Sequence, residues 1–132
     1  MPVPAGFASA VTLTCSLEHF EGDADIRLFC ELSRVLRPGG KVVVIPLYLH
    51  TCAATQTDPT YSAASAVPFD EGTTVHCAEG WGNRHGRFYS VDTLKSRVLS
   101  SPAFRFTIFR LTGLEQISSP IYARFALVGE RL

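Results

Sequence analysis

The chain has no apolar run long enough to span a membrane, no surplus of charge of either sign and no closely spaced cysteine pairs. Each of these absences removes a class of function. Twelve Lys and Arg balance twelve Asp and Glu, so no global field draws the protein to nucleic acid or to anionic lipid. Without about 20 consecutive apolar residues it has no membrane-spanning helix. Cys15, Cys30, Cys52 and Cys77 are scattered along the chain, a pattern of reduced thiols in a cytoplasmic protein rather than of a disulfide framework. His50, Cys52, His76 and Cys77 are residue types that zinc accepts, but their spacing matches no common zinc motif, and no metal site is expected. The opening MPVPAGFASAV carries no basic residue and only a short apolar stretch, unlike a signal or transit peptide. Internal repeats, low-complexity tracts, a P-loop, a nucleophile elbow and an RNA-binding aromatic motif are likewise missing.

What is present fits one compact domain over residues 1–132: 46% of the residues are apolar, enough to bury a core. Phe7 to Cys15 alternates Val11, Leu13 and Cys15 against Thr12 and Thr14, the period of a strand. The period then changes. Asp23 suits a helix N-cap, Asp25 adds negative charge near the positive end of the dipole, and Leu28, Phe29, Leu32, Val35 and Leu36 form one apolar stripe. Arg27, Glu31 and Arg34 fill the opposite face, and Cys30 falls between the two as a small buried residue. Pro38 ends the helix near Leu36, and Gly39 and Gly40 permit a sharp return. KVVVIPLYL, from Lys41, is apolar at nearly every position, as in a parallel strand buried on both faces. Together these segments make a right-handed βαβ unit.

From His50 to about Phe88 the periodicity vanishes, and a segment of that length in a small domain points to a lid holding a short helix or hairpin. Ser90 then caps a helix with Val91, Leu94, Val98 and Leu99 on one face, closed by Ser101-Pro102. Phe104 onward and Ile121 onward read as two strands, most simply an antiparallel pair.

The residues CSLEHFEGDADIRLFCELSRVLRPGGKVVVI, with Ser16–Phe20 after the first strand and Leu32–Gly40 before the second, closely resemble the C-terminal half of a class I S-adenosylmethionine-dependent methyltransferase. The resemblance implies an α/β fold: a partial Rossmann-like sheet in which these strands are the family's fourth and fifth, in the order 4-5-7-6, with an antiparallel C-terminal pair. It implies that Cys15, Ser16, Leu17 and His19 bind the methionine end of S-adenosylmethionine, and that residues 50–88 overhang the pocket as a lid or insertion. Tyr48, Trp81, Arg84, His85 and Arg87 then become candidates for binding a small-molecule substrate, the arginines by pairing with an anion and the tryptophan by stacking. Glu18 and His19 either orient a cofactor or take a proton, or they cap the turn. No catalytic residue is assigned.

The family's glycine-rich cofactor loop belongs ahead of the first strand seen here. Gly39-Gly40 follows a helix and precedes a strand, the wrong order for a ligand-binding turn. The expectation is therefore a half-domain that binds the cofactor weakly or not at all on its own. Its strand from Phe7 would be an apolar edge suited to a homodimer or to a chain that supplies the missing strands. The alternative is a non-catalytic module for dimerisation or interaction.

Overall fold

The computed structural model describes residues 2–62, 66–113 and 123–132. It is an α/β fold with two sheets. β1 (Ala8–Thr14) leads through a 3₁₀ turn at Leu17–His19 into α1 (Ala24–Val35), and β2 (Leu36–Ile45) returns parallel to β1. The register breaks between Ala8 and Ala10, which pair with Leu36 and Lys41, so Arg37 to Gly40 bulge out of β2. Gly39 takes a φ of 75° there, and a Cβ on Gly40 would come within 2.8 Å of the Arg37 carbonyl oxygen. Both glycines are needed for the bulge to close.

Three strands follow: β3 (Ala54–Thr57), β4 (Thr74–Cys77) and β5 (Gly86–Phe88), with one helical turn, α2 (Pro59–Ser62), after β3. They form a separate small sheet in the order β4-β3-β5, parallel between β3 and β4 and antiparallel between β3 and β5. Residues 50–88, where a short helix or hairpin is expected, hold the helical turn α2 and this three-stranded sheet. α3 (Val91–Leu94) runs on as a π-helical turn over Lys95–Leu99. β6 (Phe104–Arg110) and β7 (Phe125–Arg131) complete the main sheet, whose order is β1-β2-β7-β6, with β7 antiparallel to both of its neighbours. Ile121 and Tyr122, the expected start of the last strand, lie outside the described residues.

The core lies on one face of the main sheet. Phe29 and Leu32 of α1 and Leu94 and Val98 of the α3 region close over Val42, Val44, Phe104 and Leu127, all in one buried cluster. Phe29 meets Phe104 edge-on at 6.0 Å and Phe106 at 5.7 Å. Gly129 leaves room for this layer, since a Cβ there would lie 2.8 Å from Phe106 and 2.9 Å from Val42.

Burial corrects three expectations. β2 is buried on one face only: Val42 and Val44 are covered, while Val43 and Ile45 are half-buried, because α1 and α3 lie on the other side of the sheet. Cys30 is exposed rather than buried. Val91, expected on the buried face of its helix, is 52% exposed: it is the first residue of α3, ahead of the buried Leu94 and Val98.

Candidate functional site

β1 ends in a residue with unusual backbone geometry. Cys15 has φ of 47°, a left-handed conformation that a residue with a Cβ rarely adopts. Its amide donates to the carbonyl of Ile45, at the end of β2. This turn sends Leu17 into the core and leaves Cys15, Glu18 and His19 facing a cavity of about 460 Å³. Gln56 of β3, Gly86 and Phe88 of β5, and Trp81 and Asn83 from the connection between β4 and β5 face it from the other side, with Tyr48 beyond the end of β2.

The two walls are held together by reciprocal contacts. His85 Nδ1 donates to the carbonyl of Glu18 at 3.1 Å, and His19 Nδ1 donates to the carbonyl of His85 at 2.6 Å. The His19 ring also lies 6.0 Å from that of Trp81. Trp81 rests on Gly86, where a Cβ would come within 2.5 Å of the indole. Tyr48 meets Phe88 edge-on at 5.3 Å, and His50 meets Phe88 at 4.9 Å.

A buried charge cluster adjoins the same β1–α1 connection. Arg87 donates from Nε and Nη2 to Asp70 at 2.7 and 3.0 Å, and its Nη1 stands 3.2 Å from Asp25. Arg97 takes both oxygens of Asp25, at 2.9 and 2.7 Å. Arg87 also donates to the carbonyls of Phe20 and Gly22, and Arg97 to that of Gly22. Burial alone would raise the Asp25 pKa, but the hydrogen bonds from Arg97 and Tyr89 and the two guanidinium charges hold it below the usual carboxylate range. The cluster ties β5 and α3 to the turn that carries Glu18 and His19.

Of the expected cofactor residues, Cys15 and His19 line the cavity. Ser16 precedes the 3₁₀ turn, and the Leu17 side chain is in the core. Of the expected substrate residues, Tyr48 and Trp81 line the cavity and Arg84, His85 and Arg87 do not. Arg84 pairs with Glu21 at 2.7 Å, His85 is buried against Glu18, and Arg87 is only 2% exposed within the charge cluster. Pairing these arginines with an anionic substrate therefore has no geometric support. Gln56, Asn83 and Phe88 are cavity residues that sequence reasoning missed. The available signal was period two along Gly86-Arg87-Phe88: as a strand, the segment turns Gly86 and Phe88 to one side and Arg87 to the other. Among the described residues, no group of three His, Cys, Asp or Glu is placed to hold a metal ion, and no helix is long and apolar enough to cross a membrane.

A family model described as a methyltransferase domain matches residues 1–44, which take in β1, the cavity turn, α1 and most of β2. The whole chain also superposes on a solved structure, a SAM-dependent methyltransferase from Methanosarcina mazei, with a TM-score of 0.53. The chain has a methyltransferase-like fold. Identity to that structure is 14%, so the likeness is one of fold. The chain covers 63% of the length of the solved structure it matches. No curated protein matches it.

Proposed function

We propose that this chain is the substrate-facing, C-terminal half of an S-adenosylmethionine-dependent methyltransferase that acts on a small molecule in the cytoplasm. One observation carries the reading: the cavity is walled by the turn that leaves the carboxyl end of β1, which is where open α/β sheets bind ligands. In this reading β1, β2, β7 and β6 take the places of the fourth, fifth, seventh and sixth strands of a complete sheet. Residues 50–88 form the lid over the site.

The wall after β1 fits the methyl-bearing end of the cofactor in part. The left-handed turn at Cys15 opens the cavity beside His19. Cys15 and His19 would hold that end through their side chains, Ser16 and Leu17 through their backbone. The turn between β1 and α1 contains Gly22 but no glycine-rich loop to enclose ribose and adenine. When bound, S-adenosylmethionine supplies an electrophilic methyl group. The residues of the cavity hold and orient the acceptor, a contribution made through proximity. Titration calorimetry with S-adenosylmethionine tests this: micromolar binding supports the reading, and no heat from a folded chain removes it.

A second reading, a non-catalytic interaction module, draws on the edge of the main sheet. Among the described residues β1 pairs only with β2, and Phe7 at its start is 68% exposed. Such an edge favours a homodimer or a chain that supplies further strands. Light scattering at micromolar concentration checks it, and a monodisperse monomer counts against it.

A further inference from the structure

Among the described residues, the cavity is lined by one carboxyl group. Glu18 is 7% exposed and lines it; its Oε1 is 3.7 Å from His19 Nε2, and Oε2 is buried with no hydrogen-bond partner among the described residues. A buried carboxylate oxygen without a donor is costly, and a ligand that brings one offsets the cost. Among the described residues lining the cavity there is no Lys or Arg. The arginines nearest in sequence are engaged elsewhere, Arg84 with Glu21 and Arg87 with Asp70 and Asp25. The rings of Trp81, Tyr48 and Phe88 line the same cavity. Trp81 stands at the same end as Glu18, since His19 contacts both.

A carboxylate together with aromatic faces favours one ligand class, an organic cation that carries N–H donors. We infer that the cavity selects a cationic amine bearing an apolar or aromatic body, seated with its ammonium toward Glu18 and its body against Trp81, Tyr48 and Phe88. This rests on the cavity's being the acceptor side of the proposed methyltransferase site, and it concerns recognition alone.

Trp81 is the only tryptophan of the chain, so its fluorescence reports occupancy directly. The probes are 2-phenylethylamine, 2-phenylethanol and 3-phenylpropionate, similar in shape and differing in charge. The amine is expected to bind at least tenfold more tightly than the other two. Glu18→Gln is expected to bring it within about threefold of the alcohol. Equal binding of the three by the unmodified chain, quenching by none of them at millimolar concentration, or a preference that survives in Glu18→Gln overturns the inference. The ranking in the unmodified chain needs no variant, so a poorly folded Glu18→Gln leaves the test standing. Because S-adenosylmethionine carries its own ammonium, the amine titration is repeated with it at saturation. Unchanged amine affinity supports a separate acceptor site; competition assigns the carboxylate to the cofactor and overturns the inference. If S-adenosylmethionine does not bind while the amine preference holds, the methyltransferase reading fails and the amine site stands.

Discussion

Tyr89 donates its hydroxyl hydrogen to Asp25 Oδ2 across 2.7 Å, joining the chain beyond β5 to the first turn of α1 where neither residue reaches solvent. The same carboxylate is held bidentately by Arg97 and faces Arg87. Asp25 thus stands in the first turn of one helix and anchors two other elements to it. The cavity turn, Cys15 to His19, lies between that anchor and β1, so its position depends on the cluster.

Removing the charge of Asp25 should be costly, because Arg97 loses its bidentate partner and Arg87 keeps only Asp70. Asp25→Asn keeps the shape and is expected to lower stability by about 3 to 5 kcal/mol, the range for breaking a buried ion pair. Tyr89→Phe removes only one hydrogen bond and should cost about 1 kcal/mol. Urea unfolding followed by circular dichroism measures both. A loss under about 1 kcal/mol for Asp25→Asn would show that the cluster is not cooperative.

His85 gives the fold a dependence on mild acid. Burial, and then the positive charge of Arg87, push its pKa below the ordinary value, against the opposing effects of the Glu18 carbonyl, Glu21 and Asp70. A depressed folded-state pKa means that the unfolded chain binds the proton more readily, so stability rises with pH. The contribution is complete above the unfolded value of about 6.5 and is lost as pH falls below it. Melting temperature should decline between pH 7 and 5.5, before most carboxylates titrate. In His85→Gln, whose amide can still donate to Glu18, the decline over that interval should flatten; an unchanged slope would assign it to other groups.

The start of α3 offers a local test. Ser90 Oγ accepts from the amide of Thr93, and Thr93 Oγ1 accepts from the amide of Ser90, so two otherwise unpaired donors are satisfied. Ser90→Ala should cost about 1 kcal/mol. Ser90→Gly should cost only a few tenths, and equal losses for the two variants would argue against a capping role.

The parts of the fold legible in the sequence are those with long periodic signals. The Leu28, Phe29, Leu32, Val35 stripe and the Pro-Gly-Gly bulge after it give α1 and its return to β2, and Ser90 marks the start of α3. The small sheet was illegible for a physical reason. Its strands have four, four and three residues, too few to display alternation, and β4 is exposed along its length. Asp25 was read as a charge near a helix dipole because its partners lie 64 and 72 residues away, and no local pattern encodes them. Trp81 could be picked out as an aromatic in an irregular region, and Tyr48 as an aromatic near the end of KVVVIPLYL. Separating them from Arg84, His85 and Arg87 required knowing that residues 86–88 form a strand.

Trp81 and Gly86 provide the closest link between packing and the cavity. The indole occupies the space that a side chain at position 86 would need, with Cη2 2.5 Å from an ideal Cβ. A methyl group at that distance cannot be accommodated, so Gly86→Ala must swing the ring away or displace β5. Overpacking of this kind typically costs about 1 to 3 kcal/mol. The ring is the more mobile of the two, since β5 is paired with β3 and Trp81 is on a connection. Gly86→Ala is therefore expected to shift the emission of the single tryptophan and increase its quenching by iodide, while the far-ultraviolet circular dichroism stays that of the parent. Unchanged emission and quenching would mean that the indole does not rest on Gly86 in solution, and that the cavity wall drawn from Trp81 is built differently.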